Sequence, residues 1–301
     1  MKRTCWLSVD FDFFVRSLLD WDWAHKESPF FRGGFLWQTR VAPFLAQGMD
    51  LVAEMDPRRY AKPQPIDFWE ELQRLGYNFD AVEEFVVADS HAGATPFFNQ
   101  IADMNLGEPA DVVVNFDAHH DLGYCEWARV RELIDAEQCT CDMWLGSLLN
   151  QWPSLEARVV FPDWMRAEWT LEEQLRSVRQ DLPRSIWSRV ELDFFTNRAG
   201  KVSNLVIAPG EELEVQAVFA CRSGAWVPPW LDNTFIDFAY FGEDAIGLEP
   251  YDAFAEQDVP ALEAREDFDL EQAKLLGEQW RTLLEQGPQA ATELAKKHQK
   301  E

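Results

Sequence analysis

Residues 113–124, VVNFDAHHDLGY, place Asp117, His119 and Asp121 two positions apart directly after an apolar run. In an extended segment, side chains at this spacing project from one face, and those between them point away. Without lysines beside them, these groups would repel one another, and a divalent cation would remove that repulsion. Histidine with carboxylates suits Mn²⁺, Fe²⁺ or Zn²⁺, and a carboxylate-rich set favours manganese. The pattern therefore predicts a metal site.

Two other apolar runs also end in residues that can bind a metal. The segment EFVVADSH ends at His91, and WSRVELDFF contains Glu191 and Asp193, again two positions apart. In open α/β sheets, ligands bind beyond the carboxyl ends of the strands. We therefore expect these residues to join the first three around two metal ions, with Asp117 between the ions. The alternative is that each acidic strand end caps the helix that follows.

Six short apolar runs, each ending in polar or charged residues, predict strands that are buried on both faces. They are residues 5–14, 84–91, 111–121, 157–162, 187–195 and 215–223. Helical patterns cover residues 66–76, 170–180, 231–242 and 269–287, and the second begins with a predicted capping box of Thr170 and Glu173. This alternation predicts a three-layer α/β/α sandwich with a mainly parallel sheet.

The chain is predicted to be a single domain over residues 1–301. The aromatic-rich stretch at about 15–83 fits the strand and helix alternation badly, so we expect an insertion there that covers one face of the sheet. A helical C-terminal tail is expected from about residue 265.

Composition excludes several classes of partner. The 301 residues carry a net charge of −26, which repels nucleic acid and anionic lipid and attracts a cationic partner. No apolar run is long enough to span a membrane. The five cysteines form no repeated CxxC pattern, which predicts reduced thiols in a cytoplasmic protein. Motifs of serine hydrolases and nucleotide-binding proteins are absent from the sequence.

Four segments resemble the arginase/deacetylase superfamily, and more closely its divergent arginase-related group, which includes bacterial peptide arginases. They are VVADSH, NFDAHHDL, LDFF and CRSG, in the same order, within about residues 84–240. The resemblance implies a binuclear manganese hydrolase. His91, Asp117, His119 and Asp121 match the first ligand groups, and Glu191 and Asp193 match the late D-x-D pair. The chain departs from the family in having Glu191 for an aspartate and Asp89-Ser90-His91 for the usual G-G-D-H-S run.

The segment SVDFDFF at residues 8–14 offers a second D-x-D pair, Asp10 and Asp12. Chain order favours Glu191 and Asp193 as the metal ligands. Asp10 and Asp12 would then bind the guanidinium group of a substrate arginine, because a planar cation pairs well with carboxylates. In the alternative, one of the two N-terminal aspartates is a metal ligand and Glu191 is not.

The chemistry implied by the resemblance is hydrolysis of arginine to ornithine and urea. Two manganese ions would hold a bridging water and lower its pKa. Asp121 and His119 are the expected catalytic residues, with Asp121 as the proton partner of that water. His120 is poorly placed as a proton donor to the departing amine, and His25 is the alternative. Arg222 is the candidate for binding a substrate carboxylate.

The expected partner is an arginine-containing, ribosomally made precursor peptide, because no basic cluster suits free arginine and several tryptophans suit a peptide groove. These are Trp21, Trp23, Trp37, Trp226 and Trp230. The alternatives are another ureohydrolase or amide hydrolase on the same scaffold, acting on agmatine or an acylated amine, and a non-catalytic protein that binds basic peptides.

Overall fold

A computed structural model describes residues 2–16, 44, 48–195, 208, 210–224 and 226–254, with isolated positions between 271 and 286. Within this part of the chain, eight strands form one sheet. They are β1 (Lys2–Asp10), β2 (Tyr77–Asn78), β3 (Glu84–Ala88), β4 (Val112–Phe116), β5 (Glu156–Phe161), β6 (Val190–Phe194), β7 (Glu212–Cys221) and β8 (Tyr251–Asp252). All six predicted strands are confirmed, and only the short β2 and β8 were missed.

The sheet order is β6-β5-β4-β1-β7-β3-β8, with β2 paired to β7, and each of these pairs is parallel. Strands β1 and β4 lie in the middle and have almost no exposed side chains beyond the first residues of β1. This explains their continuous apolar sequences, because a parallel sheet is covered by helices on both faces.

The helices connect and cover the strands. They are α1 (Leu51–Glu54), α2 (Phe68–Leu75), α3 (Ala94–Met104), α4 (Trp127–Asp135), α5 (Trp144–Gln151), α6 (Leu171–Asp181), α7 (Arg184–Trp187) and α8 (Asp232–Ile246). The predictions over 66–76, 170–180 and 231–242 are confirmed, and the capping box of Thr170 and Glu173 is present. The helix predicted over 269–287 falls largely outside the described residues.

Two apolar cores lie on opposite faces of the sheet. One contains Phe68 of α2 and Phe238 of α8, and the other contains Phe98 of α3 and Leu148 of α5. The predicted three-layer α/β/α sandwich is therefore confirmed. None of the helices in the described part of the chain combines the length and apolar character needed to cross a membrane.

The predicted aromatic-rich insertion is only partly described, because residues 17–43 lie outside the described part. Residues 48–83 contain α1, α2 and β2, and Phe68 and Trp69 of α2 are fully buried against the sheet.

The sheet reverses its winding around β1, which pairs with β4 on one side and β7 on the other. In doubly wound sheets, ligands bind beyond the carboxyl ends of strands at such a reversal. Strands β1, β4, β7 and β3 are neighbours there. Of the predicted metal ligands, His91 follows β3, and Asp117, His119 and Asp121 follow β4.

Candidate metal centre

Three groups of side chains at this sheet edge, all buried except the half-buried His119, could each hold a cation. They are Asp10, His91 and Cys221; Asp12, Asp117 and His119; and His91, Asp117 and Asp121. Within each group, one candidate ligand atom per residue lies within 4.8 Å of the others. The groups share His91 and Asp117, so they form one continuous centre.

The first half of the centre surrounds Nδ1 of His91. This atom lies 3.1 Å from Oδ2 of Asp10, 3.2 Å from Oδ2 of Asp121 and 3.6 Å from Oδ2 of Asp117. His91 is 1% exposed. Four candidate ligands from three different strand ends therefore converge on one small volume.

The second half surrounds Nδ1 of His119. It lies 2.9 Å from Oδ2 of Asp12 and 3.5 Å from Oδ1 of Asp117. Asp117 thus turns one carboxylate oxygen to each half, and its side chain is fully buried. A carboxylate in this position can bridge two cations.

The donor set fits small divalent cations. Ligands at right angles around an ion at about 2.1 Å are roughly 3 Å apart, close to the nitrogen–oxygen distances above. In addition, Nδ1 of His91 and Oδ2 of Asp12 are buried and have no hydrogen-bond partner in the described part of the chain. Carboxylate oxygens of Asp10 and Asp121 nevertheless lie within 3.2 Å of Nδ1 of His91. Buried polar atoms are rarely left in this state, and both point into the centre.

Neighbouring groups hold the ligands in position. Nε2 of His91 is 2.9 Å from Oγ of Ser8. If Nδ1 held a cation, Nε2 would carry the proton and donate it to Ser8. The side-chain amide of Asn115 donates to Oδ2 of Asp117 at 2.9 Å. Ser8 and Asn115 each precede a site aspartate by two residues, so their side chains share its sheet face.

Helix α5 fixes Asp121. The indole N–H of Trp144 donates to Oδ2 of Asp121 at 2.8 Å, and the backbone N–H groups of Leu145 and Gly146 point to its carbonyl oxygen. A Cβ atom on Gly146 would lie 2.5 Å from the carbonyl oxygen of Leu122, so only glycine permits this approach. Asp121 has a φ of 49°, an uncommon conformation for a non-glycine residue.

The D-x-H-x-D side chains come together because the chain turns, and not because the segment is extended as expected. Strand β4 ends at Phe116, and the chain bends at residues 117–119 and has a positive φ at Asp121, so the segment is not extended. The backbone N–H of His119 donates back to Oδ1 of Asp117 at 2.6 Å. The expectation of an extended segment is therefore wrong, because the chain must turn here to pass from the sheet into the segment before α4.

Glu191 and Asp193 are not brought into the group. They lie within β6, which is separated from β4 by β5, so the two strands are roughly 10 Å apart. Asp193 is in register with Val160 and shares its face of the sheet, whereas Asp117 lies on the opposite face. The side chain of Glu191 is 57% exposed and lies 3.5 Å from Arg158.

Asp10 and Asp12 lie where the late D-x-D pair was expected. Oδ1 of Asp10 accepts the backbone N–H of Asp12 at 3.0 Å, and Oδ1 of Asp12 accepts that of Ala118 at 3.1 Å. Each aspartate therefore keeps its Oδ2 for the centre. Expected as residues that bind the substrate, they are instead grouped with the metal-ligand candidates.

Arg222 is buried and held by carboxylates. Its Nε donates to Oδ1 of Asp232 at 2.6 Å, and its Nη1 lies 3.6 Å from Oδ1 of Asp89. It is not among the described residues that line the cavity at the centre. This arrangement does not present its guanidinium group to a substrate carboxylate.

His120 points away from the centre. Its Nδ1 accepts the backbone N–H of Leu122 at 3.2 Å, and its ring stacks on Tyr124. Burial, followed by the charge of His119, lowers the pKa of His120 to about 3. It is neutral at physiological pH, which agrees with the expectation that it is a poor proton donor. His25 lies outside the described residues.

The buried carboxylates perturb one another strongly. Burial, followed by the charges of Asp10 and Asp117, raises the pKa of Asp12 to about 8. Burial would also raise the pKa of Asp117, but the hydrogen bond with His119 and the charges of both histidines lower it to about 2. Burial lowers the pKa of His91, but the carboxylates around it raise it well above its usual range. Among the described residues, no lysine or arginine forms an ion pair with the four aspartates of the centre.

The stability of the metal-free protein is expected to fall as the pH rises from about 4 to about 8. Asp12 is protonated in the metal-free folded state up to a pKa of about 8 but ionised in the unfolded chain above about 4. Its contribution is therefore full at low pH and is lost as the pH rises through 8. Bound cations replace these protons, so stabilisation by Mn²⁺ should increase with pH.

Thermal unfolding of protein dialysed against EDTA, with and without MnCl₂, tests this at several pH values. A pH profile that is the same with and without Mn²⁺ would contradict the assignment of these aspartates to a metal centre.

A cavity of about 20 Å³ opens at the centre. Its described lining comprises Asp10, His91, His119, Asp121, Tyr124, Cys141, Asp142, Ser223 and Trp226. This volume accommodates a water or an ion. Trp226, which is half-buried in the cavity lining, lies 4.8 Å from the ring of His119.

Several residues around the centre were missed from the sequence. Ser8 and Asn115 could have been predicted, because they precede Asp10 and Asp117 by two positions in a strand. Cys221 ends β7 and forms one ligand group with Asp10 and His91, so it could have been considered as a ligand together with the residues at the other strand ends. Trp144 had no such signal, since its contact with Asp121 depends on how α5 packs.

Comparisons with protein-family models, curated proteins and solved structures found no match to this chain.

Proposed function

We propose that this protein is a binuclear metal hydrolase, with manganese as the expected metal, that converts arginine residues of a peptide to ornithine and releases urea. The observation that carries the proposal is the position of Asp117, whose two oxygens face His91 in one half of the centre and His119 in the other. A mononuclear deacetylase would need only one of these halves.

The residues present fit two divalent cations. His91, Asp10 and Asp121 would hold one, Asp12 and His119 the other, and Asp117 would bridge them. When bound, such a pair polarises the substrate and lowers the pKa of water. Manganese is favoured because four of the six ligands are carboxylates.

The chain's own residues would orient the reaction. Water adds to the guanidinium carbon, the bond from that carbon to the side-chain nitrogen breaks, and the departing amine takes up a proton while urea leaves. Asp121, held by Trp144, is the group assigned to accept the proton of the water. His119 has a side chain that is 30% exposed and lies beside Trp226, so it faces the side from which the substrate arrives.

Charge supports a cationic substrate. The chain carries a net charge of −26, and no lysine or arginine is found among the described residues of the cavity wall. A peptide is favoured over free arginine because Arg222, the candidate for a substrate carboxylate, is engaged by Asp232. All five cysteines are free, including the exposed Cys125, which supports a cytoplasmic location.

The test uses protein freed of metal and reloaded with Mn²⁺ or Zn²⁺. Metal content is measured by mass spectrometry of the protein digest, and a synthetic peptide with one arginine is the substrate. We expect two metal ions per chain, loss of one CH₂N₂ unit from the peptide and stoichiometric urea, with Mn²⁺ the better metal. Free arginine and agmatine are expected to react more slowly.

An acetyl-lysine peptide tested in parallel distinguishes a deacetylase. One metal ion per chain and release of acetate would overturn the proposal in favour of that reaction. Tight binding of the arginine peptide without urea would leave a non-catalytic binding protein.

A further inference from the structure

The lining of the cavity contains Ser223, a residue with a strained backbone and an unpaired hydroxyl group. Its φ is 59°, a left-handed conformation that is unfavourable for a serine. Ser223 is 1% exposed, and its hydroxyl oxygen is buried without a hydrogen-bond partner among the described residues. Because buried polar groups are almost always paired, this hydroxyl is suited to bind a group that enters the cavity.

Hydrogen bonds and close packing hold the backbone around Ser223 in place. Its N–H donates to Sγ of Cys221 at 3.3 Å, and its carbonyl oxygen accepts the N–H groups of Trp226 and Val227, both at 2.8 Å. The following Gly224 is packed so closely that a Cβ atom would lie 2.4 Å from the carboxylate of Asp89. The turn is therefore held from both sides, with Ser223 lining the cavity.

Two further groups of the same wall suit a planar cation. Trp226 provides an aromatic ring next to His119, and aromatic faces attract guanidinium groups. Asp142 also lines the cavity and lies outside the ligand groups of the centre. Two divalent cations would balance the four aspartates of the centre, so the charge of Asp142 would remain available to a cationic substrate.

We propose that Ser223, Trp226 and Asp142 form the subsite that binds the guanidinium group, with the Ser223 hydroxyl accepting one of its N–H hydrogen bonds. This inference rests on the proposed function for the identity of the substrate. It assigns Ser223 as a substrate-binding residue and explains why a strained serine, rather than glycine, occupies the turn.

The test compares S223G and S223A with the wild-type protein, all loaded with Mn²⁺. Calorimetric titration with methylguanidinium, methylurea and methylammonium separates a planar cation from a planar neutral group and a non-planar cation. We expect wild type to prefer methylguanidinium, and both variants to bind it about 3- to 10-fold more weakly. S223G should unfold at the same or a higher temperature than wild type, because glycine adopts this φ freely.

Metal content distinguishes the two possible roles of Ser223. If its role is purely structural, the variants should lose metal. If it binds substrate, they should keep it. Both variants should keep two manganese ions per chain, and the KM for the arginine peptide should rise with the dissociation constant of methylguanidinium. In W226L and D142N, the preference for methylguanidinium over methylurea should decrease.

The possible failures can be told apart. Urea release together with unchanged methylguanidinium binding in S223G would overturn the subsite and leave the proposed function intact. Preference for methylguanidinium that depends on Ser223, without urea release by the wild type, would retain the subsite and overturn the reaction. Equal binding of methylurea and methylguanidinium by wild type would also overturn the subsite.

Discussion

Replacing Asp117 with asparagine is expected to lower Mn²⁺ affinity at least about 100-fold in both halves of the centre and to abolish urea release. The two oxygens of Asp117 face the two histidines, Oδ2 toward His91 and Oδ1 toward His119. In D117N, one oxygen becomes an NH₂ group that cannot bind a cation. The hydrogen bond from the backbone N–H of His119 favours keeping the remaining oxygen at the Oδ1 position, so the His91 half loses its bridge outright.

Metal analysis and thermal unfolding measure this effect. The variant should bind fewer than one tightly held metal ion per chain, and MnCl₂ should no longer raise its unfolding temperature. Asp135→Asn is the matched control, because Asp135 is an exposed aspartate at the end of α4. A D117N protein that retains two metal ions would refute the bridging role.

The second large effect separates the two candidate D-x-D pairs. Asp12→Asn is expected to remove the ion in the His119 half and to reduce urea release at least about 1,000-fold, because one negative ligand at 2.9 Å from His119 is lost. Asp193→Asn is expected to change neither value by more than about 2-fold, because Asp193 lies on the other face of the sheet and two strands away.

The full comparison uses four variants, two in each candidate pair: D10N and D12N, and E191Q and D193N. Metal stoichiometry and urea release are measured for all four, with unfolding temperatures as the control for folding. Loss of metal in D193N or E191Q, with metal retained in D12N and D10N, would show that the ions bind elsewhere than between His91 and His119.

Most ligand types of the centre can be recognised in the sequence, because the chemistry is concentrated in short segments. The D-x-H-x-D run and His91 each follow an apolar strand, and the ends of parallel strands meet at one sheet edge. What could not be predicted was which D-x-D pair joins them. Asp10 and Asp193 occupy similar local sequences, so only the order of strands and the face of each residue distinguish them.

The fold was predictable for the same reason. A strand buried on both faces has a continuous apolar sequence, which local inspection detects. Helices α3, α4 and α5 were not predicted, although a parallel sheet requires a crossover between β3 and β4 and between β4 and β5. Their apolar faces are interrupted by polar residues that the packing accommodates, such as Thr95, whose hydroxyl donates to the carbonyl oxygen of Trp144.

The sequence by itself determined the layered α/β fold, the net negative charge and the presence of ligand-type residues at strand ends, because each depends on residues close together in the chain. Only the tertiary structure decided that β1 lies between β4 and β7, which brings Asp10 and Asp12 to His91 and His119 and leaves β6 apart. Strand order depends on how helices pack across both faces of the sheet. Contacts such as Trp144 with Asp121, or the turn that holds Ser223 at the cavity, arise from that packing and have no local signature in the chain.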